Sequence, residues 1–339
     1  MPLLNLALFL LTLLSTTAQG ALMSHDMASV FPLVDGLSFS FPLMAILLCH
    51  EMGHYVAARL HRVPASLPFF IPLPPTFGLF GTMGAVILQS RTSDRRKLID
   101  IGAAGPLAGL VVAIPVLIYG LSLSPVQPLT GVGMQEGNSI LYAVLKRLVL
   151  GAWLPSAGRD VMLHPTAMAG WAGFLITMLN LMPVNQLDGG HVAYAYFGNR
   201  YGRASRILHG LLPVLAIGVS AWIFLDSRLE LARLGLPASA LQIAANAGLP
   251  WLVWFVLIAL LRRLSGGVDH PPVDDRALPP SRARLFWVVF ATFVIIFMPV
   301  PMRSSLGPPE AAAPADGQPS AHDSKRAQQP RVPEQPRPE

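Results

Sequence analysis

The chain carries little charge and almost no cysteine. Only 12% of its 339 residues are charged and 53% are hydrophobic, whereas soluble globular domains carry about 25% charged residues. This composition excludes an ordinary soluble domain and indicates a membrane protein that crosses the bilayer several times. The single cysteine, Cys49, excludes a disulfide within the chain. The sequence also lacks a basic patch interleaved with aromatic residues, so we expect no nucleic-acid partner.

Long apolar runs take the place of the missing charge. We therefore predict an all-α polytopic protein embedded in a lipid bilayer, with about six to seven transmembrane helices. The apolar segments are Met1–Ala18, Phe39–Leu60, Leu98–Gly120, Thr166–Leu187, Ile207–Leu225, Ala240–Leu261 and Leu285–Met302.

These segments divide the chain into three parts. Residues 1–20 resemble a signal peptide in their small-residue end, but no Lys or Arg precedes the apolar run, so we favour a retained first transmembrane helix. Residues 39–302 form the membrane domain, with a core at 39–225. Residues 303–339 are rich in proline and polar residues and are predicted to be disordered.

Arginine and lysine residues alternate in density between successive connections. Fourteen of the 24 fall in the connections that hold Arg59, Arg95, Arg203 and Arg276, and five fall in the intervening ones. Because cytoplasmic loops carry an excess of positive residues, we expect the arginine-rich connections to face the cytoplasm or its organellar equivalent.

Three ionisable residues interrupt the second apolar segment. His50 and His54 are four residues apart, so a helix places both on one face, where two imidazoles can bind one Zn²⁺. Glu51 lies about 100° around the same helix and could act on a water at the metal. A charged residue at this depth costs at least about 2.5 kcal/mol, which makes a merely structural pair of buried histidines the weaker interpretation.

A catalytic zinc needs a third protein ligand. His61 lies near the end of the same helix and is more typical of an interfacial residue. Asp188 is the better candidate, because it ends another apolar segment, after Pro183 and before two glycines. Irregular backbone at membrane depth is tolerated where it lines a polar cavity. The alternative for Asp188 is an ordinary helix cap.

The two motifs together, His50-Glu51-x-x-His54 and Asn180-x-x-Pro183-x-x-x-Leu187-Asp188-Gly189, resemble the site-2 protease family of intramembrane zinc metalloproteases, peptidase family M50. The resemblance implies that His50, His54 and Asp188 bind one Zn²⁺, that Glu51 is the catalytic base, and that Asn180 helps to hold substrate. It implies single-pass membrane proteins or membrane-retained signal peptides as substrates. We expect a bacterial cell membrane, with an organellar membrane as the alternative.

The connection Leu121–Pro165 departs from many members of that family. Its 45 residues are too few for a PDZ domain, so we predict a form that lacks one. We expect a loop and an amphipathic stretch, Ile140–Leu154, in its place.

The segment Phe80–Ser90 resembles the short sheet-forming hairpin that these proteases carry beside the active site. We predict that Gly84–Ser90 forms a strand whose free edge faces the metal. Gly84, Val86 and Ile87 would then pair with an unwound substrate through the backbone. The alternative is a hairpin that only packs against the helices.

Two other functions stay open on the sequence alone. The chain could be a catalytically inactive homologue that binds membrane proteins, or a metal transporter, since ionisable residues in membrane spans also mark ion pathways. Gly105 and Gly109 form a small-xxx-small pair, which we interpret as helix packing.

Overall fold

The computed structural model describes residues 2–23, 32–75, 78–90, 92–130, 132–235, 238–264, 273–274 and 277–308. Within these ranges the chain forms nine α-helices and six short strands. The helices are α1 Pro2–Met23, α2 Pro32–Leu60, α3 Arg95–Ser122, α4 Ile140–Leu150, α5 Pro165–Asn180, α6 Asp188–Phe197, α7 Tyr201–Leu234, α8 Ala240–Leu264 and α9 Pro280–Ile296. The strands are β1 Phe69–Pro72, β2 Thr82–Val86, β3 Val126–Pro128, β4 Val132–Glu136, β5 Arg159–Val161 and β6 Met302–Leu306.

Five of these helices, α1, α2, α3, α7 and α8, are long and apolar enough to cross a membrane. Helices α5 and α9 are shorter, at 16 and 17 residues. The prediction of an all-α polytopic membrane protein with a short β-hairpin is confirmed. Five long helices and two shorter ones correspond to the seven apolar segments.

The predicted segment Thr166–Leu187 is not one continuous helix. Helix α5 ends at Asn180, residues 181–187 form turns, and α6 begins at Asp188. Pro183 lacks an N–H for the helical ladder, and Asn185 adopts a positive φ of 51°. The break matters because it directs the Asp188 end of α6 toward α2.

Helices α2, α3 and α5 form the centre of the bundle. Small residues allow close approach: a Cβ on Gly170 of α5 would lie 2.7 Å from the Cα of Leu117 on α3. The indole of Trp171, fully buried beside this contact, donates a hydrogen bond to the carbonyl of Gly137.

One end of the bundle gathers the arginine-rich connections, and we call it the arginine-rich end. His61, just after α2, lies 3.0 Å from Asp100 on α3, and Arg282 of α9 lies 2.9 Å from the same carboxylate. The end of α2 and the beginnings of α3 and α9 therefore share one end of the bundle.

The opposite end carries a small cap, of which the sequence predicted the amphipathic stretch but not the strands. Strands β3 and β5 pair there, as do β4 and β6, around the amphipathic helix α4. Lys146 of α4 is fully buried, 3.4 Å from Glu136 and 4.0 Å from Asp160. Burial raises the pKa of Glu136, against the opposing effect of Lys146.

Two boundaries therefore differ from the expectation. The connection Leu121–Pro165 contains three strands, because β3 pairs with β5 inside the connection and β4 pairs with β6. Helix α4 ends at Leu150, because the next residue, Gly151, adopts a left-handed φ of 75°. Residues 303–306, placed by the sequence in a disordered tail, belong to β6. Residues 309–339 of that tail lie outside the described residues.

Candidate metal centre and catalytic cavity

Three side chains from two distant motifs converge on one point in the bundle. The Nε2 atom of His50 lies 3.2 Å from both the Nε2 of His54 and the Oδ2 of Asp188. The distance from His54 Nε2 to Asp188 Oδ2 is 3.3 Å. The three donor atoms thus form a nearly equilateral triangle, and the three residues could hold one metal ion.

The size of this triangle fits zinc. Nitrogen and oxygen ligands bind zinc at about 2.0–2.1 Å, and a tetrahedron with such bonds places its donor atoms about 3.3 Å apart. Three protein donors also leave a fourth position open, which is the arrangement of catalytic rather than structural zinc sites.

The hydrogen bonding of His54 supports the same conclusion. Its Nδ1 lies 2.8 Å from the carbonyl oxygen of Ile101 on α3. Since a carbonyl can only accept, Nδ1 carries the proton and the Nε2 lone pair is directed to the metal position. Metal-binding histidines usually have a partner of this kind. A backbone carbonyl leaves no mark in a sequence, so sequence reasoning missed Ile101.

Helix α3 also provides the space for both imidazoles. A Cβ on Gly105 would lie 2.1 Å from His54 Nε2, and one on Gly109 would lie 3.2 Å from the His50 Cβ. The spacing of the two glycines predicts close helix packing, and the structure shows that they make room for the side chains of His54 and His50. The small-xxx-small spacing was the available signal, but it does not identify what packs there.

We expect Gly105→Ala to weaken zinc binding, because the added methyl group would overlap the donor nitrogen of His54. The affinity for zinc, measured by competition with a chelator on purified protein, should fall at least about tenfold, as it does when support of a ligand is lost. Gly210→Ala is the matched control, since its added Cβ would meet no atom within 4 Å outside the backbone of its own helix turn. An unchanged affinity for zinc in Gly105→Ala would contradict this account.

The turn before α6 places Asp188. A Cβ on Gly189 would lie 2.0 Å from the carbonyl oxygen of Leu181, and one on Gly190 would lie 2.2 Å from that of Asn185. The two glycines therefore let the backbone fold back against itself. Asp188 is the first residue of α6, so its side chain leaves the helix at the end that faces α2.

A cavity of about 440 Å³ surrounds the three donors. Glu51 lines it beside His50 and His54, and it extends to Thr92 and Tyr194, near the start of α3 and the end of α6. It therefore reaches from the metal position toward the arginine-rich end. Its wall also includes Asn180, Val86, Ile87, Gln186 and His191, but Gly84 is not among the lining residues.

The hairpin presents one edge to this cavity. Strand β2 pairs with β1 in antiparallel register, with Phe69 opposite Val86. Beyond the strand, Leu88 directs both its N–H and its carbonyl toward Ser66. Since peptide groups alternate along an extended chain, those of Ile87 point the other way, and Ile87 and Glu51 both line the cavity.

The strand is shorter than predicted. It spans Thr82–Val86 rather than Gly84–Ser90, and Gly84 has a φ of 99°. The residues after Val86 continue only through an isolated bridge between Ala65 and Gln89. The register shift between Phe70 and Pro72 lies opposite the first half of β2, and the regular pairing ends where Phe69 lies opposite Val86.

The fold and the site define a multi-pass membrane protein with a His-His-Asp metal group in its helical core. Residues 38–211, about half of the chain, match the model of peptidase family M50. The chain belongs to this family.

Several curated relatives are named as zinc metalloproteases. The chain is 33% identical over 228 residues to the probable zinc metalloprotease EGY1, chloroplastic, of Arabidopsis thaliana, which covers 65% of this chain and 38% of that protein. It is 36% identical over 181 residues to the rice protein of the same name (Oryza sativa subsp. japonica), covering 51% and 30%. A third relative, the probable zinc metalloprotease EGY2, chloroplastic, of Oryza sativa subsp. indica, is 33% identical over 189 residues, covering 55% and 34%. The chain spans less than two fifths of the length of these relatives.

Proposed function

We propose that this protein is a zinc-dependent endopeptidase that hydrolyses peptide bonds within or near the transmembrane segments of single-pass membrane proteins. One observation carries the proposal: the donor atoms of His50, His54 and Asp188 converge beside Glu51, in a cavity lined by the helical core and the hairpin. Membership in peptidase family M50 supports it.

His50, His54 and Asp188 would hold the metal. A zinc ion in this position supplies Lewis-acid chemistry, activating water and polarising the peptide carbonyl. Glu51 accepts the proton of the attacking water and returns it to the leaving amine. The carboxylate is suited to this role because it lies on the same helix turn as the two histidines and lines the same cavity. The extension of the cavity toward Thr92 and Tyr194 provides the route for water.

A transmembrane helix must unwind before it can be cut, because its carbonyls are hydrogen-bonded within the helix. We assign the holding of the unwound segment to the free edge of the hairpin, together with Asn180, which also lines the cavity. Of the three residues that the sequence suggested, Ile87 is favoured by its amide direction, opposite to that of Leu88, and Val86 also lines the cavity. Gly84 acts less directly, since it lies outside the cavity lining.

We expect Ile87→Pro to lower cleavage at least about tenfold, because proline removes an N–H that points away from β1, toward the open edge of the hairpin. Ile87→Val keeps this N–H and should cleave at nearly the wild-type rate. Val86→Pro should have the smaller effect of the two proline variants. Initial rates on a synthetic single-pass peptide in lipid nanodiscs measure all three, with zinc content as the control for folding. Equal rates for Ile87→Pro and wild type at full zinc content would rule out edge pairing.

The two other candidate functions are less well supported. A metal transporter needs ligands at several depths along a path, whereas the three donors in the described part of the chain converge at one point. An inactive homologue would have no use for a carboxylate at position 51, yet Glu51 is present and lines the cavity. The direct test of the proteolytic function is cleavage of a single-pass peptide by wild type and by Glu51→Gln.

The orientation in the membrane follows from the arginine-rich end. We propose that this end faces the cytoplasm of a bacterial cell, or the stroma or matrix if the membrane is organellar; the relatives named chloroplastic favour the organellar alternative. In a Cys49→Ala background, a cysteine at Lys97 should react with an impermeant maleimide only after the membrane is opened. A cysteine at Ser156, in the opposite cap, should react in intact cells or vesicles of known polarity. The reverse pattern would overturn the orientation.

A further inference from the structure

Helix α1 is polar on the inside and apolar on the outside. Its buried residues are all polar or small: Asn5, Thr12, Thr16, Thr17, Gln19 and Gly20. Most of its large side chains face outward, at Leu3, Leu4, Leu6, Leu10, Leu11, Leu14 and Leu22, while Phe9 and Leu13 pack against the core. A helix that served only as a membrane anchor or as a targeting segment would have no need of a buried polar face. The polar residues therefore require a partner within the protein.

That partner is the hairpin beside the metal centre. The side-chain amide of Asn5 donates to the carbonyls of Leu67, at 3.1 Å, and Pro68, at 2.8 Å, just before β1. The hydroxyl of Ser15 donates to the carbonyl of Gly81, at 2.7 Å, just before β2. Between these points the rings of Phe9 and Phe70 meet edge to face, with centroids 5.1 Å apart.

The hairpin has only a short ladder of its own. Its first half contains Pro68, Pro72, Pro74 and Pro75, which have no N–H to donate. Two-stranded hairpins are marginally stable on their own, and unsatisfied carbonyls at membrane depth are costly. Asn5 supplies a donor to the Pro68 carbonyl, and Ser15 adds a second donor to the Gly81 carbonyl, which also accepts from the Leu73 N–H. Helix α1 packs mainly on β1 whereas α2 contacts β2, so these bonds act on the side of the hairpin away from the histidines of α2.

We propose that α1 is a positioning element of the protease, retained in the working enzyme, and that Asn5 and Ser15 are positioning residues that hold the substrate-binding edge at the metal centre. This inference rests on the proposed function for its catalytic consequence. Neither residue touches the cavity, so both act through the hairpin: a loosened edge binds the unwound substrate less well but leaves the metal centre intact.

The test uses the full chain in lipid nanodiscs, with Asn5→Leu and Ser15→Ala as variants. Leucine favours membrane insertion, so Asn5→Leu should reach the membrane at least as well as wild type. Hydrogen–deuterium exchange of peptides that cover residues 66–90 should accelerate about tenfold in both variants, the change expected when one or two hydrogen bonds are lost. The KM for a synthetic single-pass peptide should rise several-fold, with kcat changed less than about twofold and zinc content unchanged. Ser15→Thr keeps the hydroxyl and should restore wild-type values.

Leu14→Ala is the matched control, because Leu14 is adjacent to Ser15 but 66% exposed on the outer face. It should leave exchange, KM and zinc content unchanged. The inference is wrong if exchange at residues 66–90 stays at the wild-type rate in both variants, or if exchange accelerates while KM does not move. If wild type cleaves no peptide but exchange responds as expected, the proposed function fails and the attachment of the hairpin to α1 stands.

Discussion

Replacing Glu51 by glutamine is expected to abolish peptide cleavage while the protein keeps about one zinc per chain. General acid–base catalysis accelerates a reaction roughly 10²–10⁴-fold, so kcat should fall at least about 100-fold. Glutamine has nearly the same shape, but it cannot take up a proton from water. The donor atoms of His50, His54 and Asp188 are untouched by the change. Single-turnover cleavage of a single-pass peptide, with zinc measured on the same sample, tests this expectation.

The outcome distinguishes a catalytic role of Glu51 from a role in supporting the metal site. Loss of cleavage with full zinc content identifies Glu51 as the proton carrier. Loss of both would mean that position 51 supports the metal site itself. Cleavage within about tenfold of wild type would contradict the role of general base. A variant that binds substrate without cutting it also offers a means of capturing natural substrates from membranes.

Removing any one of the three donors is expected to empty the metal site. A catalytic zinc has only three protein ligands, so His50→Ala, His54→Ala and Asp188→Ala should each lose most of the zinc and all measurable cleavage. Asp188→Ala tests the assignment most sharply, because this residue is 138 positions away from His50 in the chain yet 3.2 Å away in space. Metal analysis after dialysis against a weak chelator, followed by a cleavage assay, provides the measurement.

His61→Ala is the matched control for the ligand variants. His61 follows the same helix, but its imidazole lies 3.0 Å from Asp100 rather than at the metal position. Its removal should leave zinc content unchanged. Retention of zinc and activity in Asp188→Ala would mean that another residue supplies the third ligand. Loss of zinc in His61→Ala would mean that the third ligand of the metal lies at the arginine-rich end of the bundle.

The local part of the metal site was predictable because helical geometry is local. Residues four apart share a helix face whatever surrounds the helix, so the placement of His50, Glu51 and His54 on one turn followed from their spacing. Asp188 stood out for a different reason, the cost of a carboxylate in an apolar segment. This cost does not give the distance or the direction from which Asp188 reaches the histidines.

The tertiary structure decided the features that depend on backbone and on empty space. The carbonyl of Ile101, which orients His54, belongs to a residue whose side chain has no polar chemistry. Gly105 matters through the absence of a side chain, and its spacing was equally compatible with ordinary helix packing. Neither feature becomes visible until α3 is placed against α2.

The hairpin and α1 show the same division. Proline and glycine content predicted an irregular segment beside the site, but the strand ends at Val86 rather than Ser90. The direction of each amide depends on the register with β1, which the segment alone does not specify. For α1 the sequence determined an apolar helix and left open whether it is retained. Only the packing against β1 showed that Asn5 and Ser15 face inward, because a partner 62 or more residues away sets which side of that helix is buried.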